Sequence, residues 1–287
     1  MVFVLLSICC SVIVSILLKL AKRYEINIPQ AVVWNYPVAA FFTFIIYRPD
    51  LTGLHIATAP VTVYLLLGIL LPSLFVILGL SVRYTGIVRT DLAQRLSLFI
   101  PLLTAFLFFK EQVSMIKLTG IIMGFIAIVC TIPWQKGTRK SEKLASWIYP
   151  LMVFAGMGVI DVLFKQIAVY RGLPYTTSLF IVLLLAFIIS VITLVLFIVT
   201  GKAKFNWVNF VSGLILGFFN FGNILFYLKA HRALPENPSL VFSAMNIGVI
   251  VAGAIVGVFL FKERLSIVNK IGIVIAVISI LVISLAG

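Results

Sequence analysis

Phe109-Lys110-Glu111, followed by Ser114 and Gly120-Ile121, returns 152 positions later as Phe261-Lys262-Glu263, Ser266 and Gly272-Ile273. Each copy begins where one long apolar run closes, and each leads into another. A repeat built from apolar runs leaves few architectures open, and many transporters are made this way.

The 287 residues are 63% hydrophobic and 10% charged, whereas soluble domains carry about 25% charged residues. That is too little polar surface to cover a soluble core, so the chain reads as a membrane protein. The net charge of +14 does not point to nucleic acid. The Lys and Arg residues fall mostly between apolar runs, where they anchor helix ends at the headgroups, and no basic stripe alternates with aromatics. Cys9, Cys10 and Cys130 all lie inside apolar runs without CxxC or Cys/His spacing. Neither a disulfide, a metal nor a cofactor is expected. The opening Met1-Val2-Phe3-Val4 has no basic n-region, and the first run reads as a retained helix rather than a signal peptide.

A span needs about 20 apolar residues. Ten runs qualify: Val2 to Leu20, Ala31 to Tyr47, Val61 to Val82, Ile87 to Phe109, Met115 to Pro133, Trp147 to Tyr170, Thr176 to Val199, Trp207 to Leu228, Leu240 to Phe261 and Val268 to Leu285. Pro29, Pro49, Pro60, Pro174, Pro235 and Pro238 are placed in or beside the loops. The runs are too long and too uniformly apolar for barrel strands. The longest polar stretch, 135–146, separates a first five-helix repeat (1–134) from a second (147–287). The expected fold is an all-α integral membrane protein of ten transmembrane helices. Five crossings leave the chain on the opposite side of the bilayer, so two similar five-helix halves must insert upside down relative to each other, as an inverted-topology repeat.

Weaker echoes fit the repeat. Ile16-Leu17-Leu18-Lys19 resembles Val162-Leu163-Phe164-Lys165, and Leu80 to Thr85 resembles Leu228 to Ala233. At the repeat spacing Pro101 matches Gly253, two residue types that weaken a helix's hydrogen-bond ladder. With Leu80 to Glu111 followed by Lys117-Leu118-Thr119-Gly120, and Tyr227 to Glu263 followed by Asn269-Lys270-Ile271-Gly272, the chain resembles the drug/metabolite transporter superfamily in its ten-helix EamA-type form. It departs from that pattern at Cys9-Cys10-Ser11-Val12, where a Trp-Gly pair is usual, and at Gly253, where a Pro is usual. The resemblance implies a secondary transporter, often an exporter, with no ATP hydrolysis, in a bacterial inner membrane.

Polar groups inside the apolar runs are the candidate substrate contacts. Asp161 lies well inside the sixth run with Lys165 one turn later; it is either a substrate or proton contact or half of a structural pair. Lys19 and Lys165 occupy matching places and either hold an anionic group or snorkel to the interface. Asn220, Asn223 and Tyr227 share one helical face, and Asn246 sits in the ninth run; amides in lipid need partners, from a wet cavity or a neighbouring helix. Arg95 and Gln94 either reach a cavity or mark a helix end, with Asp91 one turn from Arg95 as an ion-pair partner. Glu111 and Glu263 read as structural ties at short turns.

The expected function is alternating-access transport of a small polar or amphipathic metabolite, with membrane lipid as the surroundings and protons as a coupling partner through Asp161. A lipid-linked substrate, a non-transporting assembly or sensory protein, and a membrane enzyme are the rivals. No HExxH, GxSxG or GxxxxGK[ST] motif is present. The two indicators of orientation conflict. The resemblance implies cytoplasmic termini, which would leave 7 basic residues on the cytoplasmic side and 15 on the other. The positive-inside rule prefers the reverse.

Overall fold

The computed structural model describes residues 2–50, 59–97, 99–100, 115–131, 140–170, 172–233 and 238–285. The first Phe-Lys-Glu copy, Pro101 and Pro235 lie outside them. Within the described residues the regular elements are helices: α1 (Val2–Arg23), α2 (Ile28–Tyr47), α3 (Val61–Thr85), α4 (Ile87–Leu96), α5 (Met115–Thr131), α6 (Lys140–Val169), α7 (Tyr175–Val199), α8 (Trp207–Ala233), α9 (Pro238–Ile255) and α10 (Ile267–Leu285), with a π-helical turn, Val256–Leu260, closing α9. Six of them are long and apolar enough to cross a bilayer: α1, α2, α3 and α7, and the Trp147–Phe164 and Trp207–Ala230 parts of α6 and α8. The chain is a multi-pass helical membrane protein.

Local chemistry accounts for the helix ends. Asn27 caps α2, its side-chain oxygen accepting from the Gln30 N–H at 3.2 Å, with Pro29 in the first turn. Pro238, beside a loop as expected, opens α9, where its missing N–H costs nothing. Half of the polar stretch expected to link the two repeats is helical, because Lys140–Ser146 forms the first two turns of α6; Lys and Glu are good helix formers. Between α3 and α4 the chain turns at Gly86, whose φ of 94° favours glycine.

Contacts set the helix directions. Along α2, Asn27 meets Asn209, and Ala31 and Asn35 meet Gly213 and Gly217, so α2 and α8 run parallel. Ser7 meets Asn223 while Ala21 lies with Ser212, so α1 runs against α8. The Tyr64 hydroxyl bonds Ser178 at 2.9 Å and Gly68 faces Ala186, so α3 and α7 run parallel. Tyr84 stacks on Tyr149 while Leu67 packs with Ile160 and Ile167, so α3 runs against α6. The Gly120 and Cys130 carbonyls accept from Ser279 and Asn269, so α5 runs against α10.

Leu18 and Ile28 both touch Gly79, near the end of α3. One face of the protein therefore collects the ends of α1, α3 and α9 with the starts of α2 and α4. It is packed shut by Leu18, Val82, Ile87 and Leu92, all buried. We call it the sealed face. Trp34, Phe205, Trp207 and Phe210 interlock at the α7–α8 turn on the same face, as in an aromatic belt at a membrane interface.

Candidate functional site

Toward the opposite face α4, α6, α7, α8 and α9 leave a cavity of about 340 Å³. Its polar lining includes Gln94 and Arg95 from α4, Asp161 from α6, Tyr175 from α7, Asn223 and Tyr227 from α8 and Asn246 from α9. Met157, Phe164, Leu179, Ile224 and Met245 supply an apolar wall. Of the residues singled out in the sequence, Asp161, Asn223, Tyr227, Asn246, Arg95 and Gln94 come together here.

Asp161 is exposed and, among the described residues, makes no hydrogen bond or ion pair. Arg95 shares the cavity without pairing to it: its Nη2 donates to Ser11 Oγ at 2.8 Å. A cation and an anion thus line one hollow without neutralising each other by contact.

The remaining three expected contacts do not join the cavity lining as described. Asn220 donates through Nδ2 to Asn35 Oδ1 at 3.1 Å in the α2–α8 seam. Its face of α8 turns toward α2, and the neighbouring amide satisfies it. Lys19 lies away from the cavity lining: its Nζ is 3.1 Å from Glu263 Oε1 at the sealed face, because α1 ends there. Lys165 lies on α6, and its side chain is outside the described residues, as is Glu111.

Glu263 does more than tie a turn. Its Oε1 accepts from the Ile87 N–H at 2.8 Å, so it caps α4 while pairing with Lys19; helix N-termini favour anions. Gly86 makes this possible, since a Cβ there would stand 2.5 Å from the carboxylate.

Sequence reasoning missed a serine ladder on α1. Ser7 donates to Asn223 Oδ1 at 2.8 Å, Ser11 accepts from Arg95, and Ser15 donates to Asp91 Oδ1 at 2.9 Å. The spacing of four residues places all three on one helical face, so the signal was present in the sequence. Among the described residues no group of three metal-ligating side chains converges.

No protein-family model matches the chain. A solved structure, described as the crystal structure of a protein, shares the fold at a TM-score of 0.55, with 13% identity over 97% of both chains. An uncharacterized protein of Haemophilus influenzae is 40% identical over 273 residues, which is 93% of this chain and 92% of that one. On this similarity, the chain belongs to the same family as the Haemophilus influenzae protein.

Proposed function

We propose that the protein is a secondary transporter of the drug/metabolite type, an exporter in a bacterial inner membrane, that moves a small amphoteric solute by alternating access. The reading treats α1–α5 and α6–α10 as inverted repeats. Helix pairing supports this. Exchanging the halves turns the α1–α8 pair into α6–α3, α2–α8 into α7–α3 and α1–α9 into α6–α4, while α2–α7, α4–α9 and α5–α10 map onto themselves. Direction supports it too. Since α1 and α3 end on the same face and α3 runs against α6, the matched helices α1 and α6 run oppositely, as inverted topology requires.

One observation carries the function. The polar cavity between α4, α6, α7, α8 and α9 lies toward one face, while at the other, among the described residues, the Lys19–Glu263 pair and buried α1–α4 side chains pack the sealed face. Such an asymmetric arrangement of similar halves is what alternating access needs. The uncontacted pair Arg95 and Asp161 suits a solute that carries both a carboxylate and an ammonium, with the apolar wall taking its tail.

Ligand-dependent melting of the purified protein tests this, because a ligand that binds only the folded state raises its melting temperature. L-leucine should raise it more than leucine methyl ester, which lacks the anion, or N-acetyl-leucine, which lacks the cation. Arg95→Gln should erase the N-acetyl-leucine shift, and Asp161→Asn the methyl-ester shift. Protein in liposomes should then exchange leucine across the bilayer. A protein that exchanges no solute would instead fit a sensory or assembly role.

A further inference from the structure

We propose that Asp91 is a proton-binding carboxyl that couples opening of the sealed face to solute movement. As coupling, this rests on the transporter reading; as a proton site, it does not.

Asp91 is 3% exposed and sits on α4, one turn before Arg95. Its Oδ1 accepts from Ser15. Its Oδ2 is buried and has no hydrogen-bond partner among the described residues. Gly253 of α9 closes over that oxygen so tightly that a Cβ there would stand 2.6 Å from it. An ionised carboxylate with one bare oxygen between packed helices loses its hydration without replacement. A proton on Oδ2 removes that cost and leaves the Ser15 bond to Oδ1 intact.

The surroundings suit a gate rather than a static contact. On α4 itself, Arg95 faces the cavity, and Arg89 donates to Asn269 of α10 at 3.2 Å. From α1 come Ser15 and, one turn further on, Lys19. Following α9 comes Glu263, paired with Lys19. From α6, Asp161 lines the cavity together with Arg95. From α3, Ser81 and Thr85 are engaged with Thr90. α5 brings Cys130, whose carbonyl is held by Asn269, and Lys117, whose side chain lies outside the described residues. Asp91 thus stands between the solute-facing Arg95 and the Lys19–Glu263 closure, where α1, α4 and α9 meet.

In the arrangement seen here, Ser15 and Ser11 lead from Asp91 to the cavity, and the proton is taken up from that side. When α1 and α9 part from α4, water reaches Oδ2 and the proton leaves to the other solution. The carboxylate left behind has Arg95 one turn away as counter-charge. One proton then crosses in the direction opposite to the solute.

Infrared spectroscopy of the purified, full-length protein in H2O and D2O reads the proton directly, through the C=O stretch of a buried protonated carboxyl. The band should be present in the wild type at neutral pH, persist in Asp161→Asn, vanish in Asp91→Asn and shift in frequency in Ser15→Ala. An unchanged band in Asp91→Asn, or no band in the wild type, overturns the proton site. Should Asp91→Asn not fold, a band in Ser15→Ala identical to that of the wild type overturns it equally. In liposomes, Asp91→Asn should lose accumulation driven by an imposed pH gradient while leucine exchange remains measurable. Wild-type exchange that no pH gradient can drive refutes the coupling alone. Absence of any exchange, wild type included, refutes the transporter reading and leaves the infrared result to decide the carboxyl.

Discussion

Lys19, near the end of α1, and Glu263, just after the π turn of α9, meet at 3.1 Å with their side chains only 22% and 11% exposed. The same carboxylate caps α4, so three helices are pinned at one point. Replacing Lys19 by Met leaves the carboxylate with the helix N-terminus alone and should cost about 1–3 kcal/mol, the range for a lost charged hydrogen bond. The sealed face should then open more often. Single cysteines placed at Val82 or Ile87, both fully buried, should react with a water-soluble maleimide faster in Lys19→Met than in a Lys19 background. Equal reactivity would show that the pair does not hold the face shut.

Gly86 carries the elbow on which that capping depends. Alanine there meets two obstacles at once, a φ of 94° and the Glu263 carboxyl. Gly86→Ala should lower the unfolding free energy by about 1–3 kcal/mol, the range for strained backbone, seen as a lower melting temperature in detergent.

Two asparagines one turn apart on α8 should behave differently. Asn220→Ala strips a partner from the fully buried Asn35 and should destabilise the fold by about 1–3 kcal/mol with little change in ligand affinity. Asn223→Ala should weaken binding and lower the ligand-free melting temperature less than Asn220→Ala does, because Ser7 loses Asn223 Oδ1 but keeps the Asn223 main-chain carbonyl as acceptor. Melting curves with and without leucine separate the two effects.

Ser11→Ala removes the oxygen that receives Arg95 Nη2. The guanidinium stays charged but loses its aim. Affinity for N-acetyl-leucine should fall roughly tenfold, the equivalent of about 1.4 kcal/mol, while leucine methyl ester, which has no anion to place, should bind as before.

Basic residues exposed at the sealed face include Lys22, Arg23, Arg83, Lys202, Lys204, Lys262, Arg264 and Lys270. The positive-inside rule predicts that this face is cytoplasmic and that α10 ends on the outer side. Alkaline phosphatase fused after Gly287 should be active, and a fluorescent protein that folds only in the cytoplasm should be dark. The reverse pattern would agree with the resemblance and turn the cavity toward the cytoplasm.

Much of this was legible in the chain alone. The length and uniform apolarity of the runs required helices, because a backbone in lipid must satisfy its own hydrogen bonds. Polar residues inside those runs marked Asp161, Asn223, Tyr227, Asn246 and Arg95, since burying such groups in lipid is too costly without a purpose. What the linear pattern left open was which polar group faces which. Asn220 and Asn223 are nearly alike in sequence, and only the placement of α2 turns one to Asn35 and the other to the cavity. Lys19 looked like a headgroup anchor until the end of α9 brought Glu263 beside it. Asp91 looked like an ion-pair partner for Arg95, but among the described residues its direct neighbours are Ser15 and Gly253. Composition and spacing act along one helix at a time, so they decide what must be buried; partners come from helices far apart in sequence, and those only packing in three dimensions could choose.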